Sequence, residues 1–442
     1  MHDIHGQAVF GNAQDHGGGM TYLARRTRNV GAAIIGNTLE WFDILVYAYF
    51  VKEIAANFFP ASSGASSLLL AYGTFGLSFV ARPVGAVVLG GIADRVGRRA
   101  ALVWASALMC AGTLAIAVLP PFSAIGVAAP LLLLTARLVQ GFSAGGEFGS
   151  ATAYLAEQSP GRRAFYSSWQ FASQGLGMAL AALIGLLLSK SLTVADATAW
   201  GWRAPFLFGA LVGPVAYFIR KNVDESLEFL EIEAEPRLAA RAGSADFIAR
   251  CAAGAGAVLA CTVPIYFLVY TPTFARTVLH AGPMIAFATA LVSGATLFVG
   301  SPLAGLAADR FGALRLGFIA TALLVLIPYP LFAAVIARRD EASILLGQFG
   351  LSLVTALYLG ALPAILANLF DTRGRSLGLA VSYNLAVMTA GGFAQMIFVL
   401  LIGWTGSNAA PSFYVVFAGL ASLCSLLVCA GFARADAAAL RP

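Results

Sequence analysis

The sequence predicts an all-α membrane protein with twelve transmembrane helices arranged as two six-helix bundles. Apolar residues make up 59% of the chain and charged residues only 11%, unlike the mixture found in water-soluble domains. Apolar segments recur at the length of about 20 residues that a helix needs to cross a hydrocarbon core of about 30 Å. One short motif also appears at the same place in each half of the chain. These three observations favour a duplicated bundle of transmembrane helices.

Breaking the chain at clusters of charged residues, glycine and proline gives twelve approximate spans. They are residues 30–51, 67–91, 99–119, 125–150, 165–188, 202–220, 251–272, 281–308, 315–337, 343–366, 377–402 and 410–433. The longest hydrophilic stretch separates the sixth span from the seventh, so each half holds six. The predicted organisation is a cytoplasmic tail (1–29), a first bundle (30–220), a cytoplasmic linker (221–250), a second bundle (251–433) and a second cytoplasmic tail (434–442).

The basic residues indicate the orientation of the spans. Most of the 27 lysines and arginines fall in loops on the same side of the membrane as the amino terminus. By the positive-inside rule, that side is the cytoplasm. We therefore predict a multi-pass protein of the bacterial inner (cytoplasmic) membrane with both termini in the cytoplasm. No apolar core with a small-residue cleavage site precedes the first span, so no secretory signal peptide is expected.

Several classes of function are not expected. The five cysteines lie in apolar stretches without a CxxC pair or a nearby histidine cluster, so neither a zinc site nor a disulfide framework is predicted. The net charge of +6 comes from basic loops between spans, so nucleic acid is not an expected partner. No Gly-x-x-x-x-Gly-Lys loop is present, which argues against ATP-driven pumping by this chain. A membrane-embedded enzyme or sensor is the alternative from a different class, but no nucleophile has an obvious base and no signalling domain is visible.

Ionisable side chains inside the spans mark the expected functional region. Each costs at least about 2.5–3.5 kcal/mol to insert, so it normally faces a charged partner or a wet cavity. The candidates all lie in the first half and are Glu40, Asp43, Arg82, Arg137, Glu147 and Arg203. Three acids and three bases leave no net charge, as mutual pairing requires.

The first span has one polar face. At 100° per residue, Asn37, Glu40, Asp43 and Tyr47 fall within an arc of about 120°. Because a polar face is costly against lipid, this face should line the interior of the bundle.

Proton coupling is predicted at the buried acids. Burial favours the neutral form of a carboxylate, which makes a membrane-embedded acid a natural proton carrier near neutral pH. The predicted proton-coupling residues are Asp43, Glu40 and Glu147. The alternative is that Glu40 or Asp43 only holds Arg82 or Arg137 in a structural ion pair, and that Glu147 is the partner of an arginine on the cytoplasmic side.

The predicted substrate site rests on arginines and on stripes of hydrogen-bonding side chains. Arginine binds carboxylates through a planar fork of donors, and Arg82 in mid-span is the first candidate. The fifth and seventh spans carry amide and aromatic groups at helical spacing, which suits a cavity wall; ordinary hydrogen bonding between helices is the alternative. The predicted substrate contacts are Arg82, Arg137, Tyr47, Trp169, Gln170, Gln174, Tyr266, Tyr270, Arg276 and Asn384.

The repeated loop motif carries a family resemblance. The run Gly90-x-x-x-Asp94-Arg95-x-Gly97-Arg98-Arg99 resembles the loop motif of the major facilitator superfamily. The second-half copy has Ala313 and Leu314 in place of the final basic pair. The resemblance implies the major facilitator fold, with alternating access by rocking of the two bundles. It also implies an inner-side gating latch formed by Gly90, Asp94, Arg95, Gly97, Arg98, Arg99, Asp309 and Arg310.

Longer motifs resemble the metabolite/proton symporter family within this superfamily. They are Gly36-Asn-Thr-Leu-Glu40-Trp-Phe-Asp43, Phe79-Val-Ala-Arg82-Pro83, Arg137-Leu-Val-Gln140-Gly-Phe-Ser-Ala-Gly-Gly-Glu147 and Trp200-Gly-Trp-Arg203-Ala-Pro-Phe206. Two further segments look most like those of the citrate (tricarballylate)/proton symporters. These are Phe165-Tyr-Ser-Ser-Trp169-Gln170-Phe-Ala-Ser-Gln174 and Tyr270-Thr-Pro-Thr-Phe-Ala-Arg276-Thr-Val-Leu.

This resemblance implies proton-coupled symport of a small organic anion, with a tri- or dicarboxylate such as citrate as the expected substrate. The alternatives left open are 2-oxoglutarate, shikimate-like or aromatic acids, and a zwitterion such as proline or betaine. The proton is the expected coupling ion, and no cofactor or metal is expected. The expected partners are the small organic anion and the lipid bilayer, with a monomer as the working unit.

Overall fold

The computed structural model describes residues 16–61, 63–96, 98–221, 244–371 and 374–439, and these residues are almost entirely helical. The helices of the first half are α1 (His16–Tyr49), α2 (Val51–Phe58), α3 (Gly64–Val96), α4 (Arg98–Val118), α5 (Phe122–Ile125), α6 (Ala128–Ser143), α7 (Glu147–Glu157), α8 (Arg163–Ser191), α9 (Val194–Asp196) and α10 (Arg203–Lys221). A 3-10 turn, Pro160–Arg162, precedes α8, and a π-helical turn, Ala197–Gly201, precedes α10.

The second half follows with α11 (Ala245–Thr277), α12 (Pro283–Phe311), α13 (Ala313–Leu326), α14 (Pro328–Arg338), α15 (Glu341–Ala367), α16 (Arg375–Ala386), α17 (Ala394–Thr405) and α18 (Ala410–Ala439). A π-helical turn, Val387–Gly391, joins α16 to α17. The amino-terminal residues 1–15, the segment 222–243 and the final residues 440–442 fall outside the described residues. The predicted domain boundaries therefore stay predictions.

Membrane-spanning segments account for most of the described chain. Eight segments in the described ranges are long and apolar enough to cross a membrane: Gly64–Leu89, Arg163–Ser191, Ala245–Thr277, Pro283–Phe311, Ala313–Arg338, Glu341–Ala367, Arg375–Thr405 and Ala410–Ala438. The helices Ile34–Tyr49 and Val51–Phe58 meet at a bend of 60° and are long and apolar enough for a crossing only when taken together. The helices α4, α10 and the pair α6–α7 complete the twelve predicted spans. The predicted all-α class is confirmed.

Three predicted spans differ from the structure because their helices are interrupted. The ninth span, predicted as one helix over 315–337, is divided between α13, which ends at Leu326, and α14, which begins at Pro328. The fourth span, predicted as one helix over 125–150, breaks between α6 and α7. Here Gly145 lies against the backbone of Arg82 and Ala86 in α3, where a Cβ has no room. The eleventh span, predicted over 377–402, contains the π turn. At its end Gly391 packs directly on Thr262 of α11.

Glycines also bring α3 and α6 into direct backbone contact. A Cβ on Gly141 would collide with the carbonyl oxygen of Ser78, and a Cβ on Gly85 would collide with that of Phe142. The glycine-rich run before Glu147 therefore allows close helix approach.

The two halves touch along their length. Helices α8 and α12 meet at mid-membrane through Gly175 and Gly294, where an added Cβ would meet the backbone of the opposite helix. We call the end of the bundle that carries the Asp309 loop the inner end, following the predicted orientation, and the opposite end the outer end. Contacts between the two halves are present at both ends.

Candidate substrate and proton site

The centre of the molecule is a buried cluster to which both halves contribute. Arg82 of α3 is 4% exposed, and its guanidinium lies 4.5 Å from the centre of the Phe79 ring. Phe79 packs edge-on against Tyr266 of α11, with ring centres 5.6 Å apart. Trp41 of α1 also stacks on Tyr266 at 6.4 Å. A first-half arginine is therefore held beside a second-half tyrosine.

The same cluster contains a carboxylate and a second tyrosine. Glu40 of α1 is buried, and both Tyr266 and Tyr383 of α16 interact electrostatically with Glu40 and with Arg82. Tyr383 is held from the first half, because its ring stacks on Phe148 with centres 3.5 Å apart and 7° between planes. Glu40 and Arg82 are two of the charged residues that the sequence places inside the spans. In the structure both lie at the boundary between the halves.

Several donors in this cluster are buried without a hydrogen-bond partner among the described residues. They are Nε of Arg82, the hydroxyl of Tyr266 and the hydroxyl of Thr262, one turn away on α11. An unsatisfied buried polar group costs about 1–3 kcal/mol, so such groups normally bind water or a ligand. A carboxylate, which only accepts hydrogen bonds when ionised, is a chemical match for these donors.

Arg137 lies beside this cluster, inside the first half. It is 1% exposed, its Nη1 donates to Oε1 of Gln140 at 2.8 Å and its Nη2 donates to Oγ of Ser78 at 3.2 Å. The guanidinium lies 4.5 Å from the ring centre of Tyr47 and 4.9 Å from that of Phe75. Aromatic faces and neutral oxygens thus surround the cation in place of water.

Asp43 is connected to Arg137 through two neutral side chains. Nε2 of Gln140 donates to the hydroxyl of Thr113 at 2.9 Å, and Thr113 hydrogen-bonds Asp43, which also interacts with the charge of Arg137. Oδ1 of Asp43 has no partner among the described residues and lies against Gly209 of α10. One carboxylate oxygen is therefore left open to a proton.

The polar face of the first span serves two regions. Asn37 donates to the carbonyl of Gln170 at 2.9 Å and to the hydroxyl of Ser173 at 2.6 Å, and Tyr47 donates to the carbonyl of Ala71 at 3.0 Å. Asn37, Asp43 and Tyr47, three of the four residues of this face, thus contact other helices of the first bundle. Glu40 alone of the predicted face reaches the electrostatic cluster at the boundary.

The predicted contacts on α8 have three different surroundings. Gln170 donates to Oδ1 of Asn37 at 3.2 Å, an ordinary interhelical bond. Trp169 is half-buried and packs edge-on against Phe298 and Phe165. Gln174 is buried, and neither polar atom of its amide has a partner among the described residues. The substrate roles of these three residues stay predictions, with Gln174 the best placed.

Three further predicted contacts bridge the halves. Tyr270 packs edge-on against Tyr72 at 6.1 Å near the outer end. Arg276 forms an ion pair with Glu53 at 2.6 Å, and Asn384 donates to the carbonyl of Gly145 at 3.0 Å. Arg203 has a structural role, since it donates to the carbonyls of Ala199 and Leu119.

The gating motif is described in its second copy only. The side chains of the first copy fall outside the described part of the chain, so their gating role stays a prediction. The side chain of Glu147 also falls outside it, and its role in proton coupling stays a prediction. The Asp309 carboxylate accepts the backbone N–H groups of Ala164 and Phe165 at 2.8 and 2.9 Å, at the start of α8. Arg310 lies 5.4 Å from the ring centre of Phe311.

Some site residues carry no clear signal in the sequence. Thr113 is one of two hydroxyl residues on the apolar helix α4, and only the packing of α4 against α6 and α1 gives it the partners Gln140 and Asp43. Gln395 of α17 is fully buried, and neither atom of its amide has a partner among the described residues. Its position as the one amide in the apolar helix α17 is the signal that identifies it.

Comparisons with known proteins agree with this arrangement. The family description Major Facilitator Superfamily matches residues 33–384. The citrate-proton symporter of Klebsiella pneumoniae is 36% identical over 411 residues, which cover 92% of this chain and 91% of that protein. The alpha-ketoglutarate permease of Escherichia coli (strain K12) is 32% identical over 415 residues, which cover 91% and 94% of the two chains.

A solved structure supports the fold independently. The proton:xylose symporter bound to 6-bromo-6-deoxy-D-glucose matches with a TM-score of 0.73 at 18% sequence identity. The match covers 92% of this chain and 95% of that one. The twelve-helix fold in two bundles is therefore confirmed.

Proposed function

The chain belongs to the major facilitator superfamily, and we propose that it is a proton-coupled symporter of a small organic anion, with citrate or a related tri- or dicarboxylate as substrate. A single site between the two bundles would open alternately to each side of the membrane. The support for the carboxylate class is the identity of 36% to citrate-proton symporters along most of their length.

The observation that carries the proposal is Arg82, buried at the boundary between the halves beside Tyr266 and Tyr383. An arginine stays charged inside a protein, and its burial in a membrane is costly unless an anion compensates it. Donors from both halves surround this position. Binding of an anion there would depend on how the two halves are placed, which is what alternating access requires.

The proton and the substrate would use neighbouring but separate groups. In the proposed scheme the anion binds at Arg82, and the proton is carried by Asp43, with Glu40 and Glu147 as the other candidate acids. Arg137 lies between the two regions and interacts with both Asp43 and Arg82. Protonation of Asp43 removes a negative charge near Arg137, so the local field at Arg82 becomes more positive and favours an anion.

The remaining features of the proposal follow from the same family. We propose a monomer in the bacterial inner membrane, with both termini in the cytoplasm. The proton is the coupling ion, and no cofactor is needed because the gradient supplies the free energy.

Uptake into proteoliposomes tests the function. Radiolabelled citrate is offered with an imposed inward proton gradient, and 2-oxoglutarate, tricarballylate, shikimate and betaine serve as competitors. We expect accumulation that a protonophore abolishes and that tricarballylate inhibits most strongly. Uptake that continues without a proton gradient would rule out proton coupling.

Two acid variants test the coupling scheme. We expect Asp43→Asn or Glu147→Gln to remove accumulation driven by the proton gradient. If both variants retain it at the wild-type level, neither acid carries the proton.

A second substrate of the same class is 2-oxoglutarate, favoured by the alpha-ketoglutarate permease at 32% identity. A dicarboxylate that inhibits citrate uptake more strongly than tricarballylate does would identify it as the substrate and leave the symport mechanism in place.

A further inference from the structure

The outer end of the molecule is closed by an ion pair between the halves. The 60° bend after α1 turns α2 across the outer end and places Glu53 there, while Arg276 lies in the last turn of α11. Nη2 of Arg276 lies 2.6 Å from Oε1 of Glu53, and the two side chains are only 10% and 5% exposed. Both charges are therefore removed from water although they lie near the membrane surface.

Aromatic contacts between the halves flank this ion pair. Phe50, at the bend before α2, packs on Phe287 of α12 with ring centres 5.3 Å apart. Tyr72 of α3 packs on Tyr270 of α11, one and a half turns before Arg276. These apolar contacts exclude water around the ion pair, which strengthens its attraction and raises the cost of leaving either partner alone.

The Glu53 carboxylate is only half satisfied. Oε1 accepts from Arg276, whereas Oε2 is buried and has no hydrogen-bond partner among the described residues. A buried ion pair contributes little net stability unless its remaining lone pairs are also satisfied. The pair is therefore suited to opening and closing, since exchange of one carboxylate for another costs little.

We propose that Arg276 is an entry site for the substrate carboxylate, and that Glu53 occupies this site when the outer end is closed. A carboxylate arriving from outside replaces Glu53 on Arg276, and the two halves separate at this end. When the substrate moves to the central cluster, Glu53 returns to Arg276 and closes the outer end behind it. This inference rests on the proposed function, because it requires a carboxylate substrate.

The chemistry of both residues fits this exchange. The guanidinium stays charged and presents a planar fork of donors that matches any carboxylate. Glu53 is attached to the first half and Arg276 to the second, so the exchange on Arg276 is coupled to the separation of the halves. A glutamate carboxylate and a substrate carboxylate are chemically equivalent partners, so the substrate competes with Glu53 for the same position.

The test compares Glu53→Gln with the double variant Glu53→Gln, Arg276→Gln in right-side-out membrane vesicles, with citrate uptake as the readout. Glu53→Gln removes the resident competitor and increases the population open to the outside. We expect the half-saturating citrate concentration to fall about tenfold. The double variant also removes the entry site, and we expect this concentration to rise about tenfold above the wild-type value.

A purely structural ion pair gives the opposite pattern. Glu53→Gln would then leave Arg276 buried and unpaired and be the more damaged variant, while the double variant would recover towards wild type. That result, or equal half-saturation in all three proteins, would overturn the inference.

The matched control is Glu157→Gln at the inner end. Glu157 forms a cross-half ion pair with Arg375 at 2.7 Å, equivalent in chemistry to the outer pair. Loss of the Glu157–Arg375 ion pair favours opening to the inside. Glu157→Gln should therefore not lower the half-saturating citrate concentration measured from outside. A fall equal to that of Glu53→Gln would show a general effect of lost ion pairs and contradict the entry site.

If the wild type takes up none of the carboxylates, the proposed function itself is wrong, and the proposed entry site is wrong with it.

Discussion

At the residue scale, neutral side chains connect the buried charged groups by hydrogen bonds. Asp43 and Arg137 lie in the same bundle, and hydrogen bonds through Thr113 and Gln140 connect them. The position of Asp43 also depends on a missing side chain, since its Oδ1 occupies the space where Gly209 has no Cβ. The Asp43 carboxylate is thus held by the Thr113 hydroxyl on one side and lies against the backbone of Gly209 on the other.

Gly209→Ala should therefore impair coupling without unfolding the protein. The new methyl group displaces the Asp43 carboxylate, which is the end of a flexible side chain and can move. We expect proton-driven citrate accumulation to drop about tenfold or more, because small misplacements of reacting groups have large effects. Thermal unfolding in detergent should change little.

The control for this variant lies one turn further along α10. A methyl group at Gly213 would meet the sulfur of Cys110 at 2.7 Å, so Gly213→Ala produces similar crowding away from the carboxylate. Equal loss of accumulation in both variants would mean that crowding of α10, and not the position of Asp43, causes the defect.

At the element scale, the contact between α3 and the α6–α7 break positions Arg82. Gly145 lies on the carbonyl of Arg82, and Gly141 lies on that of Ser78, whose side chain binds Arg137. The two buried arginines are thus located by backbone contacts that only glycine permits. Helix packing of this kind, through small residues, is typical of membrane interiors.

Gly145→Ala should separate these helices. Its Cβ would lie 2.7 Å from the backbone nitrogen of Ala86, and backbone cannot move aside as a side chain can. We expect the free energy of unfolding to fall by about 1–3 kcal/mol, measured as a lower midpoint of thermal unfolding in detergent. Gly146→Ala is the matched control, because its Cβ would meet only the Cα of Ala86 at 4.0 Å. A control as unstable as Gly145→Ala would contradict this packing argument.

At the scale of the whole molecule, side chains at the two ends join the two halves. At the inner end Asp309 of the second half accepts both N–H groups at the start of α8 in the first half. A carboxylate at a helix amino terminus is stabilised by hydrogen bonds and by the helix dipole. This contact joins the two halves at the inner end.

Asp309→Asn should shift the population towards inner opening. The amide keeps an acceptor but loses the charge, with an effect of about 0.5–1 kcal/mol, or about two- to fivefold in population. The measurement is the rate at which S376C, near Gly149 in the inner contact, reacts with an impermeant maleimide in inverted vesicles of a protein without other cysteines. We expect the rate to rise by that factor.

Asp340→Asn provides the control for the loss of charge. Asp340 caps α15 within one half, where the backbone N–H of Ser343 donates to its carboxylate and holds the pKa of Asp340 below its usual value. Asparagine is an equally good cap, and no cross-half contact is lost. An increase in S376C reactivity as large as that of Asp309→Asn would exclude the proposed latch.

The sequence by itself determined the class of the protein, the twelve spans, the family and four of the buried ionisable residues of the first half, namely Glu40, Asp43, Arg82 and Arg137. These features depend on local properties of the chain: the length and apolarity of a segment, the cost of inserting a charge into the membrane, and the order of residues within a short motif. It could also identify the glycine run before Glu147 as a close helix contact, because no other role suits so many small residues inside an apolar span.

Only the tertiary structure decided which partner each charge meets. Glu40 and Asp43 are three residues apart on one polar face, yet one reaches Tyr266 and Tyr383 across the boundary while the other bonds Thr113 within the first bundle. Glu53, in a short helix after the first span, gained its partner from a helix more than two hundred residues away. The rotation and packing of whole helices determine such contacts, because a small rotation changes which neighbour a side chain meets without changing anything in the local sequence.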